Sequence, residues 1–251
     1  IKALLGRVQQ KHRTISYPKG DPVLPERFRG RPVIHPDRCI PECTRCIDNC
    51  PVQAIRKENA VLSVDLGRCL FCGQCAANCP VDALEFSREH RLAARTRKDL
   101  IISQTEIKRA ETLGRDLVRL LGRSLKLRQV CAGGCNACEA DTIVLSTIVF
   151  DLSRFGIQFV ASPRHADGLL ITGPVPENMK LALQKTYEAV PSPKIVIAVG
   201  ACAVSGGPYI DHPEVHNGAD RIVPVDLYIP GCPPHPLTIL DGMLRLIGKI
   251  Q

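Results

Sequence analysis

Two runs of four cysteines dominate the first third of the chain: Cys39, Cys43, Cys46 and Cys50, then Cys69, Cys72, Cys75 and Cys79. From Cys43 to Cys72, Cys46 to Cys75 and Cys50 to Cys79 the step is always 29, and the same step carries Pro51, Val52, Ala54 and Ile55 onto Pro80, Val81, Ala83 and Leu84. Two copies of one unit therefore lie side by side. Thiols two or three residues apart rarely bridge one another, so such clustering points to metal ligation. The second copy, CLFCGQCAANCP, has the spacing C-x2-C-x2-C-x3-C-P. In that arrangement three close thiolates hold three irons of one cubane, and the fourth crosses to a neighbouring cluster. The spacing assigns Cys69, Cys72, Cys75 and Cys50 to one [4Fe-4S] centre, and Cys39, Cys43, Cys46 and Cys79 to another. In the first copy CIPEC places one extra residue between Cys39 and Cys43, which the loop around Pro41 must absorb. Zinc sites more often use paired C-x2-C units than triads followed by C-P.

Thirteen cysteines clustered in this way suit a reducing, intracellular setting. No apolar run approaches the roughly 20 residues that span a bilayer, so a transmembrane segment is not expected. Lys and Arg number 33 against 25 Asp and Glu, a formal charge of +8. Thiolate-bound clusters are anionic and offset part of it. With six Phe, four Tyr and no Trp, stacking surface is scarce and nucleic-acid binding is not expected. The first 30 residues form a basic arm, with Lys2, Arg7, Lys11, Arg13, Lys19, Arg27 and Arg29. It reads either as a solvated tail or as a contact for an acidic subunit or anionic lipid headgroups.

Four segments follow from this reading: the arm at 1–30, a two-cluster module at 31–90, a helical linker at 91–123, and a second domain at 124–251. In the linker, Ile107, Ala110, Leu113, Leu117, Leu120 and Leu121 recur at three- and four-residue steps, the stripe of an amphipathic helix ended by Gly122. Beyond it, Lys126–Val130, Gly156–Ala161, Gly168–Thr172, Lys194–Val199 and Val225–Ile229 read as buried strands. Helical patterns fit near Asp141–Phe150, Glu177–Ala189 and His235–Lys249. Alternating strands and helices imply an α/β domain with a parallel sheet, whose functional loops sit at the carboxyl ends of the strands. Each remaining cysteine falls at such a loop: Cys131, Cys135 and Cys138 in VCAGGCNACE, then Cys202 and Cys232. These are five candidates for the four positions of one metal site.

CNACE, SPRHADGLLITG at Ser162–Gly173, GACAVSGG at Gly200–Gly207 and VPVDLYIPGCPP at Val223–Pro234 resemble the small subunit of energy-converting, membrane-associated [NiFe] hydrogenases of the formate-hydrogenlyase type. They are also similar to the complex I subunit carrying its last iron–sulfur cluster. The resemblance covers roughly Leu125–Gln251 and implies a flavodoxin-like fold in which Cys135, Cys138, Cys202 and Cys232 bind a proximal [4Fe-4S] cluster, with Cys131 a neighbour. SYP at Ser16–Pro18, FRG at Phe28–Gly30 and LGRCLFCGQC at Leu66–Cys75 resemble the ferredoxin-like electron-transfer subunit of the same complexes, which implies an α+β 2[4Fe-4S] ferredoxin-like domain. The chain thus looks like a fusion of two proteins that are usually separate. The resemblance implies an oxidoreductase subunit with three [4Fe-4S] clusters and no catalytic residue of its own. The implied partners are a [NiFe]-type large subunit, the membrane subunits of an energy-converting complex, and a soluble ferredoxin or another electron-transfer subunit. The implied location is peripheral, on the cytoplasmic face of a membrane.

The complex I relative typically has adjacent cysteines where this chain has C-x2-C, and commonly Gln at the position of His165; both details favour the hydrogenase side. The alternative is a complex-I-like module, reducing a quinone or a sulfur compound, whose partner lacks nickel. His165 is either a loop histidine hydrogen-bonded to backbone or a residue with a role in cluster tuning or proton transfer. Glu139 and Asp141 read as carboxylates solvated at a helix start, with support of the cluster ligands or proton relay as the alternatives. Gly133, Gly134, Gly206 and Gly207 read as backbone freedom around a bulky cofactor. No G-x-G-x-x-G or P-loop pattern supports nucleotide binding.

Overall fold

A computed structural model describes residues 2–11, 13–59, 61–103 and 108–250. Helix α1 (Lys2–Gln10) buries none of its residues. The repeat in sequence is then a repeat in space. Strand β1 (Pro32–Ile34), helix α2 (Arg45–Asp48) and strand β2 (Ile55–Glu58) recur, at the same step of 29, as β3 (Val61–Asp65), α3 (Gln74–Ala77) and β4 (Leu84–Phe86). The first strand of each copy pairs antiparallel with the last of the other: β1 with β4, and β2 with β3. This exchange brings the end of each cysteine run beside the other copy.

The expected helical linker is corrected by the structure. Strand β5 (Ile101–Ile102) pairs antiparallel with β3 and completes the sheet of the cysteine module. Ahead of it Ala94 exchanges both backbone hydrogen bonds with Tyr228, at 3.0 and 2.9 Å. Among the described residues of this stretch, α-helix is confined to α4 (Arg115–Leu121), with a short 3-10 turn at Lys98–Leu100. Ala110 and Leu113 are buried as the stripe requires, yet on irregular chain whose N–H groups donate to Ala93 and Leu246. Apolar residues needed burial, and tertiary partners satisfied the backbone without a helix. Ile107 lies outside the described residues.

The second half alternates as expected: β6 (Leu125–Cys131), α5 (Ala137–Val144), β7 (Ile157–Phe159), β8 (Gly168–Thr172), α6 (Glu177–Ala189), β9 (Ile195–Val199), α7 (Gly200–Ser205), β10 (Leu227–Ile229) and α8 (Pro236–Leu246). The strands form one parallel sheet in the order β7-β6-β8-β9-β10. Residues of β8 and β9 are buried on both faces and alternate between two cores. Leu170, Ile195, Ile197 and Val199 pack with Leu240, Met243 and Leu244 of α8. Leu169, Ile171, Val196 and Ala198 pack with Leu183 of α6 and Val204 of α7, and also with Leu66, Leu84 and Leu100 of the cysteine module. That module is therefore seated on one face of the sheet through a continuous apolar core. Helix α5 starts before the expected Asp141 and stops at Val144, short of Phe150. None of the helices among the described residues is long and apolar enough to cross a membrane.

The basic arm is half docked. The Ile15 N–H donates to Val149 O at 2.9 Å, and the Arg154 guanidinium donates to Tyr17 O at 2.9 Å. Tyr17 is buried, and its hydroxyl donates to Asp241 of α8 at 2.6 Å. Arg245 donates to the other oxygen of Asp241 at 2.8 Å, so this nearly inaccessible carboxylate has both a charge partner and a neutral donor.

Candidate metal centres

The crossed repeat gathers the first eight cysteines into two sets. Cys39, Cys43, Cys46 and Cys79 border one cavity, walled by Ile40, Leu62 and Leu84. Cys50, Cys69, Cys72 and Cys75 border a second, walled by Val64, Leu70 and Phe86. The symmetry reaches the sulfur atoms. The Ala54 N–H donates to Cys50 Sγ and the Ala83 N–H to Cys79 Sγ, both at 3.2 Å, while the Phe71 N–H donates to Cys69 Sγ at 3.3 Å. Donors aimed at sulfur favour the thiolate over the thiol. Burial works the other way. It pushes the Cys69 thiol up to about 12, reinforced by the neighbouring thiolates of Cys75, Cys50 and Cys72, with the Phe71 N–H opposing. Burial and the thiolates of Cys39, Cys79 and Cys43 likewise raise Cys46. Four such sulfurs become thiolates together only beside a cationic cofactor, and the donor chemistry of both cavities fits one.

A third set stands at the carboxyl edge of the parallel sheet. Cys135 and Cys138 follow β6, with Asn136 between them in the left-handed region and Cys138 in the first turn of α5. Cys202 lies within α7, directly after β9, and Cys232 follows β10. Burial raises the Cys138 thiol, and so do the charges of Cys202, Glu139, Cys232 and Cys135; Cys202 is raised to about 12 by burial and by Cys232 and Cys135. The backbone makes room for these sulfurs. A Cβ on Gly200, at φ +89°, would lie 2.5 Å from Cys138 Sγ, and one on Gly207 2.8 Å from Cys202 Sγ. Both glycines thus give room to cysteine sulfurs, and Gly200 does so directly after the apolar run KIVIAV. Cys135 and Cys232 are exposed, which leaves this set open on one side.

Cys131 ends β6, outside the quartet, and its thiol is raised by burial and by the neighbouring Glu139 carboxylate. The Glu139 reading is corrected. Its side chain is buried rather than solvated, and accepts a hydrogen bond from the Thr172 hydroxyl. Burial alone would raise this carboxyl, but the neighbouring Cys131, the Thr172 hydroxyl and its own N–H outweigh it and hold it low. Asp141 is half-buried and lines a groove with Arg27, Arg29, His235 and Cys232; burial raises its carboxyl. Leu70 and Phe71, from the Cys69–Cys72 loop, form the opposite wall of that groove. His165 is exposed in a short 3-10 turn after β7. Among the described residues no three His, Cys, Asp or Glu side chains converge as a single metal ion would require; the sulfurs of the first two sets instead ring cavities.

Residues 31–80 match the 4Fe-4S dicluster domain, and residues 135–246 match the family described as NADH ubiquinone oxidoreductase, 20 Kd subunit. Cysteine module and sheet together thus define an iron–sulfur electron-transfer subunit of an oxidoreductase complex. A probable membrane-bound hydrogenase subunit of Pyrococcus furiosus is 42% identical over 148 residues, covering 59% of this chain and 89% of that protein. Formate hydrogenlyase subunit 7 of Escherichia coli is 44% identical over 135 residues, 54% of this chain and 53% of its own. An NADH-quinone oxidoreductase subunit of Heliobacterium modesticaldum is 44% identical over 121 residues, 48% of this chain and 69% of its own. The chain belongs to the 20 Kd NADH ubiquinone oxidoreductase subunit family, shared by hydrogenase and complex I subunits, and carries a dicluster domain ahead of that region.

Proposed function

We propose that this chain is the electron-transfer subunit of a membrane-associated [NiFe]-hydrogenase-type complex and binds three [4Fe-4S] clusters. Cys39, Cys43, Cys46 and Cys79 hold the first, Cys50, Cys69, Cys72 and Cys75 the second, and Cys135, Cys138, Cys202 and Cys232 the proximal one. The observation that carries the reading is that twelve of the thirteen cysteines fall into three sets of four, two within one module and one at the open sheet edge. When bound, the clusters supply the one-electron steps between the nickel–iron site of a partner large subunit and an external redox partner. The chain's own residues set the order. Leu70 lines both the cavity of the second set and the Cys232 groove, with Phe71 beside it in the groove wall, and Cys46 of the first set lies close enough to Cys75 of the second for its charge to raise that thiol. The first set is therefore the outer end, facing a soluble ferredoxin or another electron-transfer subunit. Exposed Cys135 and Cys232 face the large subunit, and membrane subunits complete the assembly on the cytoplasmic face. The strand order, with the second strand outside the first, is that of flavodoxin-like sheets, whose ligands sit outside the carboxyl ends of the strands. Residues 31–103 and 124–250 are then the two functional modules.

The test is nickel and iron analysis of the complex purified anaerobically through this chain. The reading expects about twelve irons per chain, roughly four per cubane, with nickel in addition. Cys138→Ala is expected to abolish catalytic current while the large subunit keeps its nickel; retained current would remove the proximal assignment. A second reading, a quinone- or sulfur-linked module whose partner lacks nickel, is favoured by the match to the NADH-quinone oxidoreductase relative. The same iron without nickel selects it.

A further inference from the structure

The two halves of the dicluster module differ where the first copy carries its extra residue. Lys57, on β2, and Phe86, on β4, occupy equivalent positions of the repeat, 29 residues apart. Phe86 lines the second cavity and packs near Phe71, with ring centroids 6.3 Å apart. Lys57 pairs across the hairpin with Leu62, which lines the first cavity, and its ammonium turns to the loop that carries the extra residue. It donates to Pro41 O at 2.5 Å, to Ile40 O at 3.1 Å and to Cys39 Sγ at 3.8 Å. The insertion thus presents two carbonyls to a cation and seats that cation against a sulfur. In the second half, the shorter Cys69–Cys72 loop meets an aromatic ring instead.

We infer that Lys57 is a positioning residue for the outer cluster: it fixes the lengthened Cys39–Cys43 loop and, through its charge on Cys39, makes that cluster the more oxidising of the pair. The inference rests on the cluster assignments proposed above. An electron arriving from the second cluster adds one negative charge to the first, and a lysine ammonium beside a ligand sulfur stabilises that reduced form. At the equivalent position Phe86 offers the second cluster no such charge, and the Arg29 guanidinium beside that half packs over the Gly73 backbone. The energetic slope of the pair then runs toward the outer end, the end assigned to the external partner.

The experiment is an anaerobic redox titration of the intact complex by low-temperature EPR, with iron analysis, for wild type, Lys57→Met and Lys57→Arg. Lys57→Met, which keeps the stem and removes the charge, is expected to move one midpoint negative by about tenfold in its reduction equilibrium, ~59 mV for one electron. The other midpoints stay in place, and Lys57→Arg returns the shifted one. Loss of about four irons in Lys57→Met, recovered in Lys57→Arg, supports the loop-fixing role. Unchanged midpoints in Lys57→Met at full iron content overturn the inference, as does cluster loss in both variants. A wild-type complex without two such clusters overturns the assignments beneath it, a result distinct from the others.

Discussion

At Gly200 a single methyl group competes with a ligand. Its Cβ position lies 2.5 Å from Cys138 Sγ, and the backbone stands at φ +89°, where any other residue is strained. Gly200→Ala is expected to displace the thiol and cost the proximal cluster, seen as a loss of about four irons per chain and of one EPR signal. Gly114→Ala, with nothing within 4 Å of the added carbon, should keep both. Glu139 offers a second residue-scale test. One oxygen of its buried carboxylate accepts from the Thr172 hydroxyl, and the other has no partner among the described residues. In Glu139→Gln the amide keeps one acceptor for Thr172 but buries an NH2 group where the second oxygen stood, a donor without an acceptor that costs about 1–3 kcal/mol. A lowered melting temperature with unchanged iron content is the expected result, and a lost cluster would show that Glu139 acts on the ligands themselves. Sequence alone did not reveal its burial, because a carboxylate next to a cysteine at a helix start reads as solvated until the Thr172 hydroxyl is placed above it by β8.

At the scale of elements, the cysteine module does not end where its cysteines do. Strand β3 needs β5, and the Leu66 N–H donates to Leu100 O at 2.9 Å, so a fragment stopping at residue 90 lacks part of its sheet and core. Such a fragment is expected to aggregate, whereas one extended to residue 103 regains the missing edge; light scattering after cluster reconstitution compares them. The arm has its own tie. Tyr17→Phe removes a donor to a buried carboxylate, worth about 1.5–3 kcal/mol for a bond to a charged group. Faster proteolysis or hydrogen exchange at residues 13–31 is the expected readout. The repeat was legible because a constant step of 29 fixes helices, strands and crossed ligands at once, and α6 runs over Glu177–Ala189 as its pattern says. The linker was not legible. Its backbone is satisfied by Tyr228 and Leu246, far along the chain, and the three-four spacing of its apolar residues carries no information about such partners.

For the whole molecule, the governing contact is the seam between module and sheet. Ser205 donates to Gly67 O at 2.9 Å, and a Cβ on Gly67 would lie 2.8 Å from a Val204 methyl and 2.7 Å from the Arg97 guanidinium that clamps Asp65. Gly67→Val is expected to pry the seam open at an overpacking cost of about 1–3 kcal/mol. With iron content unchanged, slower electron exchange between the proximal and second clusters, read by freeze-quench EPR, would place the seam on the route; an unaltered rate would remove it. Below that seam lies the apolar core in which Leu66 and Leu100 share neighbours with Ile171 and Val204. The two modules that carry the cysteine sets are consequently made in fixed one-to-one proportion at translation. A cell expressing this chain has no gene dosage to balance between them, and no surplus of either part to degrade.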